Sequence, residues 1–261
     1  MAKMSCVKTI CLIFFLTCGA ACGSGSGTAQ DSYNLRVPDS YDPDHTYPLI
    51  IAMHGYGDTN TNFESNSGLT TQANGAGFII AYPQSRNRGW NAGGSGFAYL
   101  TDNADDVTYI LNIIDEISSG YSVDANRVYL TGHSNGAFMA YYLAATVPLK
   151  FAAIAPVAGT MMMDDISASS PVSVIHIHGL GDTVVRYEGS NEFPPVRPVL
   201  ALWREKDGCG SAVVTVSSEY TLRFWAGSYG DVCVYEVNGL GHTWPSFAAN
   251  EIIRFFSSHH M

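Results

Sequence analysis

Apolar residues along the chain occur in two patterns that alternate from about residue 31 to the C-terminus. Continuous apolar runs ending in glycine or proline predict strands buried on both faces, and apolar residues at helical spacing predict amphipathic helices. The predicted strands are SYNLRVP, PLIIAMHG, GFIIAYP, RVYLTG, FAAIAPVAG, PVSVIHIHG, and segments near TLRFWA and VCVYEV. The predicted helices lie in NFESNSGLTTQANGAG, NADDVTYILNIIDEISSGY, GAFMAYYLAATV, VRPVLALWREKDG and NEIIRFFSSH.

This alternation predicts the α/β class, with one mostly parallel sheet covered by helices on both faces. No internal repeat or second linker interrupts the pattern, so residues 32–261 are interpreted as one catalytic domain. The segment between FAAIAPVAG and PVSVIHIHG is too short for a large cap domain. In such sheets functional residues gather at the carboxyl ends of the strands.

The N-terminus carries a different signal. Residues 1–21 hold two lysines, an apolar run and then small residues, which is the layout of a secretory signal peptide. Residues 22–31 form a Gly/Ser-rich stretch that predicts a flexible tether. The sequence GAAC before Cys22 fits two processing routes, lipidation of Cys22 or ordinary cleavage after Ala21. We therefore expect an exported bacterial protein, either extracellular, periplasmic or lipid-anchored at the cell surface.

Composition and charge indicate a folded domain and limit the classes of partner that the chain can bind. The chain is 46% hydrophobic and 14% charged, which favours a folded domain with a large core. Its net charge of −10 argues against a nucleic-acid partner, since phosphate binding needs a basic surface. Once the signal peptide is removed and Cys22 is set aside, the remaining cysteines are Cys209 and Cys233. In an oxidising compartment this pair predicts a disulfide.

The stretch RVYLTGHSNGAFMAYYLA places a serine where a predicted strand meets a predicted helix. Gly132-His133-Ser134-Asn135-Gly136 matches the G-x-S-x-G pattern of a nucleophile held on a sharp turn. The pattern also arises by chance or as a structural turn, but the strand before it and the helix after it favour the catalytic interpretation. Ser134 is therefore the predicted nucleophile.

A serine nucleophile needs a base, and the base needs a carboxylate to orient it. In this sheet type they follow in the order serine, acid, histidine, each after a later strand. Asp182 follows the strand that ends at His178, and His242 follows VCVYEV, both in glycine-flanked loops. His176 and His178 themselves are interpreted as core or loop-bracing residues. Asp182 and His242 are the predicted acid and base.

Acyl transfer also needs donors for the oxyanion. The backbone N–H of Asn135, directly after the nucleophile, is one predicted donor. The second comes from His54-Gly55-Tyr56-Gly57 after the early strand, where the glycines let the amide of Tyr56 turn towards Ser134. An ordinary strand-end turn is the alternative interpretation of this segment.

Taken together, these segments resemble the secreted polyhydroxybutyrate depolymerase and feruloyl-esterase group of α/β-hydrolases. VDANRVYLTGHSNGAFMA and GLGHTWP are the most specific parts of a resemblance that runs from about Ser32 to Phe256. It implies a carboxylic ester hydrolase with Ser134, Asp182 and His242 in the catalytic positions and Tyr56 in the oxyanion position. Depolymerase members often carry a small residue or Cys where this chain has Tyr56. The resemblance therefore does not define the shape of the acyl pocket or the substrate.

The absence of a cap in the sequence predicts an open cleft that suits a bulky or polymeric ester. Met161 can line such a cleft because methionine adapts to irregular apolar shapes, although packing beneath the loop explains it equally well. Trp90 and Trp244 are predicted to offer flat surfaces to an aromatic or sugar ring. The sequence does not distinguish between polyhydroxyalkanoate, feruloyl, acetyl and synthetic polyester substrates.

The sequence thus predicts an exported serine esterase that uses no metal or organic cofactor, since H-E-x-x-H is lacking and no G-x-G-x-x-G follows an early strand. Two alternatives stay in view. One is a serine peptidase on the same fold, and the other is a non-catalytic surface protein that binds polysaccharide or polyester. The oligomeric state is not predicted.

Overall fold

A computed structural model describes residues 33–94, 101, 103–167 and 169–261. Its centre is a nine-stranded sheet with the order β1-β3-β2-β4-β5-β6-β9-β8-β7. The strands are β1 (Tyr33–Arg36), β2 (Tyr47–Met53), β3 (Ile79–Pro83), β4 (Val123–His133), β5 (Ala153–Val157), β6 (Ser173–Gly179), β7 (Val213–Val216), β8 (Tyr220–Trp225) and β9 (Val232–Val237). The inner pairings from β3 to β9 are parallel, and β1, β8 and β7 pair antiparallel at the two edges.

Helices cover both faces of this sheet, which confirms the predicted fold class. The helices are α1 (Asn60–Ser67), α2 (Leu69–Ala76), α3 (Asp106–Gly120), α4 (Asn135–Thr146), α5 (Val196–Lys206) and α6 (Ala248–Ser257), with a short 3₁₀ turn at Arg86–Arg88. Helices α3, α4 and α5 pack on one face, hereafter the first face. Helices α1, α2 and α6 pack on the other, the second face.

The strand residues divide between the two faces by simple alternation. In β2, Leu49, Ile51 and Met53 belong to the core of the first face, whereas Ile50 and Ala52 belong to that of the second. All five side chains are fully buried. A strand exposes alternate residues to opposite faces, so a run that is apolar at every position requires cover on both sides. PLIIAMHG has this pattern, and the two helix layers supply the cover.

Two elements differ from the sequence prediction. The single helix predicted in NFESNSGLTTQANGAG is two helices, because Gly68 between them adopts a left-handed backbone conformation with φ 71°. Strand β7 was not predicted. It lies at the open edge of the sheet, and all four of its residues are exposed, so it lacks the alternation that marks a half-buried strand.

The predicted disulfide between Cys209 and Cys233 is wrong, because both cysteines are free thiols. Cys233 points into the core of the second face, while Cys209 packs against the core of the first. The Cys209 Sγ instead lies 3.6 Å from the carbonyl oxygen of Trp225. The sheet separates the two side chains, which a count of cysteines along the chain does not reveal.

The predicted signal segment 1–21, Cys22 and the tether 22–31 lie outside the described residues. In the part of the chain that the structure describes, no helix combines the length and apolar character needed to cross a membrane.

Candidate active site

Ser134 stands between the end of β4 and the start of α4 with a backbone that L-residues rarely adopt, φ 55° and ψ −118°. Its N–H donates to the carbonyl of Val157 at 2.9 Å, which ties the turn to the end of the neighbouring strand β5. Such strain persists only where the surroundings fix it, and it is concentrated at functional sites. The turn presents the serine side chain at the carboxyl end of the sheet, as the sequence predicted.

His242 and Asp182 lie beside Ser134, brought there by the loops after β9 and β6. The imidazole Nε2 is 2.8 Å from Ser134 Oγ, and Nδ1 is 2.7 Å from Asp182 Oδ2. An ionised carboxylate only accepts hydrogen bonds, so Nδ1–H donates to Asp182, and Nε2 is free to accept from the serine hydroxyl. The structure therefore brings together the three residues that the sequence placed in order along the chain.

Asp182 is held as an ionised carboxylate. Its Oδ1 accepts from the backbone N–H groups of Val184 and Val185, each at 2.9 Å. Burial on its own raises the pKa of this group, but the hydrogen bonds from His178 and His242 and the backbone donors outweigh it and lower the pKa to about 2. The carboxylate thus stays charged at neutral pH, as a group that orients an imidazole must.

The segment after β2 lies against Ser134. A Cβ placed on Gly55 would come 3.4 Å from the Cβ of Ser134, so the backbone of this loop borders the serine directly. Buried His54 accepts at Nε2 from the N–H of Ser85 at 3.1 Å, which leaves Nδ1–H to donate to the Gly55 carbonyl at 2.7 Å. In a trans peptide the N–H points opposite to the carbonyl. The Tyr56 N–H is therefore directed away from His54 by a fixed ring, a contact that the sequence did not reveal.

Asn135, the other predicted donor, is the first residue of α4, and the first N–H groups of a helix have no acceptor within it. Its side chain is buried and makes two hydrogen bonds to the backbone of Trp90. The Trp90 N–H donates to Asn135 Oδ1 at 2.6 Å, and Asn135 Nδ2 donates to the Trp90 carbonyl at 3.1 Å. The amide side chain thereby fixes Trp90, whose neighbour Gly89 lies close to the side chains of both Tyr56 and Asn135.

For two side chains, the predicted contact with substrate is wrong. Trp90 is fully buried, and its indole N–H donates to the carbonyl of His54 at 2.9 Å. It braces the loop after β2 and offers no surface to a ring. Met161 is 1% exposed and belongs to the core of the first face. Both side chains are drawn inward by packing across the fold.

Trp244 and Tyr56 remain partly accessible. The Trp244 indole N–H donates to the carbonyl of Ser67 at 2.9 Å, and its ring meets Phe63 edge-on at 5.1 Å. These contacts anchor the loop that carries His242 to α1. Tyr56 is 44% exposed, with the guanidinium of Arg88 over its ring at 5.5 Å. A substrate contact by Trp244 stays a prediction.

A second histidine lies next to the predicted base. The ring of His133 is 5.1 Å from that of His242. Burial, together with the nearby imidazole of His242, lowers the pKa of His133 to about 4, so it is neutral at physiological pH. Within the described residues no group of three or more His, Cys, Asp or Glu side chains is arranged to hold a metal ion.

Several known proteins are similar to this chain. It is 28% identical over 244 residues to a bifunctional acetylxylan esterase/xylanase of Neocallimastix patriciarum, an alignment that covers 88% of this chain and 33% of that protein. It is 30% identical over 166 residues to a probable feruloyl esterase C of Aspergillus niger, covering 61% of this chain and 58% of the relative. The chain thus spans less than two thirds of the length of either relative.

Solved esterase structures share the fold. An acetyl xylan esterase from Aspergillus awamori superposes with a TM-score of 0.67 at 20% identity, over 86% of this chain and 93% of that one. A ferulic acid esterase from Anaeromyces mucronatus gives a TM-score of 0.58 at 15% identity, over 87% and 84% of the two chains. A family model described as phospholipase/carboxylesterase matches residues 40–196, more than half of the sequence. The chain therefore belongs to the phospholipase/carboxylesterase family of the α/β-hydrolase superfamily.

Proposed function

We propose that this chain is an exported serine carboxylic-ester hydrolase. The observation that carries the proposal is the hydrogen-bonded array of Ser134, His242 and Asp182 at the carboxyl end of the sheet. Because Asp182 can only accept, the array leaves the His242 Nε2 lone pair directed at the serine hydroxyl. This arrangement suits nucleophilic catalysis, in which the base takes the hydroxyl proton as the oxygen attacks.

In the proposed reaction, Ser134 Oγ attacks the ester carbonyl carbon and its proton passes to His242 Nε2. Asp182 stabilises the imidazolium that forms. The tetrahedral intermediate collapses with cleavage of the bond to the leaving alcohol oxygen, which takes the proton from His242. Water then attacks the acyl carbon and gives a proton to His242 Nε2. The second tetrahedral intermediate collapses with cleavage of the bond to Ser134 Oγ, which takes this proton back, and the carboxylic acid is released.

The oxyanion of each tetrahedral intermediate is assigned to the N–H groups of Tyr56 and Asn135. The position of Gly55 against Ser134 and the orientation of the Gly55 carbonyl by His54 support the first donor. The start of α4 directly after the nucleophile supports the second. Donors of this kind, fixed before the reaction, are typically the largest electrostatic contribution to acyl transfer.

We assign the substrate to bulky or polymeric esters, with feruloyl or acetyl groups on plant polysaccharide as the leading class. The names of the relatives, acetylxylan esterase and feruloyl esterase, support this class. The described residues between β5 and β6 form no helix or strand, which supports a site without a cap. A panel of ethyl ferulate, acetylated xylan, short p-nitrophenyl esters and a polyhydroxybutyrate film tests the assignment, and preferential turnover of the film would redirect it to polyhydroxyalkanoates.

Export is proposed from the N-terminal pattern alone, with removal of residues 1–21. Mass spectrometry of the mature N-terminus distinguishes a lipidated Cys22 from an unmodified one. A mature chain that still begins at Met1 would contradict export.

The central experiment is Ser134→Ala. We expect p-nitrophenyl acetate hydrolysis to fall by at least about a thousandfold, because the nucleophile is removed. Thermal unfolding should be almost unchanged. Ser65→Ala, at an exposed serine of α1, is the matched control and should retain full activity.

A fluorophosphonate probe provides an independent measurement, since it labels an activated serine irrespective of the natural substrate. The wild-type chain should be labelled and Ser134→Ala should not. Hydrolytic activity retained by Ser134→Ala would overturn the assignment of the nucleophile. A wild-type chain that is neither labelled nor active on any ester would indicate a binding protein instead.

A further inference from the structure

A continuous line of buried polar side chains runs from Asp182 into the core of the first face. His178 Nε2 is 3.4 Å from Asp182 Oδ2 and 2.8 Å from the carbonyl oxygen of Val185. His178 Nδ1 is 3.0 Å from His176 Nε2, and His176 Nδ1 is 2.9 Å from the Tyr141 hydroxyl. Tyr141 and His176 have no exposed surface, and His178 is 1% exposed.

The elements of the fold explain how these groups meet. His176 and His178 are two residues apart in β6, so both point to the same face of the sheet. Their rings lie nearly parallel, with an interplanar angle of 17°. Tyr141 is on α4, the helix that begins directly after Ser134. The line of side chains therefore runs from the loop that carries Asp182 to the helix that begins directly after Ser134.

The hydrogen bonds along this line have one favoured direction. The Val185 carbonyl only accepts, so His178 Nε2 carries a proton and donates. In a neutral imidazole the other nitrogen is then an acceptor, so His178 Nδ1 accepts from His176 Nε2–H. By the same reasoning His176 Nδ1 accepts from the hydroxyl of Tyr141.

The opposite direction requires a charged His178 and turns the Tyr141 hydroxyl from a donor into an acceptor. Among the described residues, His176 is the only hydrogen-bond partner of that hydroxyl. Reversal would therefore leave a fully buried hydroxyl proton without an acceptor, which is unfavourable. Burial, with the neighbouring His178, also lowers the pKa of His176 well below its usual value and keeps it neutral. The Val185 carbonyl thus sets the tautomers of both histidines, and Tyr141 opposes the reversed arrangement.

We infer that Tyr141, His176 and His178 form a positioning chain for the triad, in which His178 Nε2–H is held by the Val185 carbonyl at 2.8 Å and lies 3.4 Å from the Asp182 oxygen that binds His242, so that its positive end attracts this oxygen. Asp182 Oδ1 is already held by two backbone amides, and His178 Nε2–H adds a second polar contact to Oδ2 beside the hydrogen bond from His242. The imidazole that must meet Ser134 is aligned by a carboxylate that cannot rotate. This inference rests on the proposed function.

His178→Gln and His178→Asn form a matched pair of variants. A glutamine amide offers an acceptor and a donor in place of the two ring nitrogens, whereas asparagine is too short to place a donor at Asp182. We expect kcat of His178→Asn on p-nitrophenyl acetate to fall by about tenfold or more, with KM within about twofold, since small misplacements of a catalytic group cost rate rather than binding. His178→Gln should retain at least about a third of wild-type kcat.

Proton NMR gives a readout that does not depend on turnover. The Nδ1–H of His242, bound to a carboxylate, should appear as a far-downfield signal in the wild-type protein. We expect it to persist in His178→Gln and to shift or broaden in His178→Asn. Tyr141→Phe, which keeps the ring and removes the hydroxyl, should also broaden it and lower kcat several-fold. It serves as the second variant if His178→Asn does not fold.

The outcomes are separable. Wild-type kcat and an unchanged signal in a folded His178→Asn or Tyr141→Phe would overturn the positioning chain. So would equal losses in His178→Gln and His178→Asn, which would show that ring shape matters and the donor does not. A wild-type protein that is neither labelled by fluorophosphonate nor active on esters would instead overturn the proposed function, while the NMR signal would still report whether His178 positions Asp182.

Discussion

At the scale of single residues, the strained turn at Ser134 depends on the close approach of Gly132 and Gly136. A Cβ on Gly132 would come 2.5 Å from the carbonyl carbon of Gly136. A Cβ on Gly136 would overlap the carbonyl oxygen of Met53 and lie 2.7 Å from that of His54. The two glycines of the G-x-S-x-G pattern therefore let β4, α4 and the end of β2 meet without side chains between them.

Gly136→Ala should accordingly destabilise the protein and reduce ester hydrolysis. Backbone atoms cannot move aside as a flexible side chain can, so we expect a loss of about 1–3 kcal/mol or more in the free energy of unfolding. Urea unfolding and the rate on p-nitrophenyl acetate measure the two effects.

Gly75→Ala is the matched control for this substitution. Gly75 is an exposed residue of α2, and a Cβ there has no neighbour within 4 Å. Alanine should stabilise the helix by about 0.5–1 kcal/mol and leave hydrolysis unchanged. Equal stability of Gly136→Ala and wild type would show that the turn tolerates a side chain.

How far the site could be predicted also differs from residue to residue. Ser134, Asp182 and His242 were placed together because each follows a strand, and parallel strands end at one edge of a sheet. The orientations of Trp90 and Met161 could not be predicted in the same way. Trp90 is turned inward by Asn135 and His54, partners far away in the sequence, and no local pattern records such contacts. The bracing role of His54 was missed for the same reason.

At the scale of elements, the buried strands were predictable and the edge strand was not. β2 and β6 are covered by helices on both faces and so read as unbroken apolar runs. β7 is defined only by its pairing with β8, and its valines face solvent, with Val213 67% and Val216 73% exposed. The apolar pattern identified the inner strands of the sheet. The edge strand is defined by pairing with a neighbouring strand, which the pattern does not record.

We expect the exposed edge strand β7 to pair with other chains at high protein concentration. An apolar edge strand offers unpaired backbone groups to another molecule. Val216→Lys should reduce aggregation at high protein concentration, measured by light scattering during mild heating, without changing kcat. Leu149→Lys removes an apolar side chain that is 79% exposed but lies outside the sheet, and it should have little effect. Equal improvement by both variants would assign the aggregation to general surface hydrophobicity.

At the scale of the whole molecule, Asp207 links the end of α5 to the start of β6. It is fully buried, and its Oδ1 accepts from the N–H of Val172 at 3.1 Å. Its Oδ2 has no hydrogen-bond partner among the described residues. Burial, together with the nearby carboxylate of Asp231, raises the pKa of Asp207 from 3.8 to about 7. A buried carboxyl far from the candidate active site thus titrates near neutral pH.

This raised pKa has a definite consequence for stability. Between the unfolded pKa and the folded pKa the folded chain holds a proton that the unfolded chain has lost. The free energy of unfolding therefore falls as pH rises, by about 1.4 kcal/mol per pH unit, and this loss levels off above about pH 7. The net charge of −10 adds general repulsion in the same direction, so a variant is needed to isolate the part due to Asp207.

Asp207→Asn isolates this contribution, because the amide does not titrate. We expect the stability of the variant relative to wild type to increase between about pH 5 and about pH 8, measured by urea unfolding at both values. Asp164→Asn removes one charge from an exposed carboxyl and should show a difference that hardly changes with pH. If the difference between Asp207→Asn and wild type is the same at both pH values, Asp207 is ionised throughout this range, and the decline of stability at higher pH belongs to the surface charge.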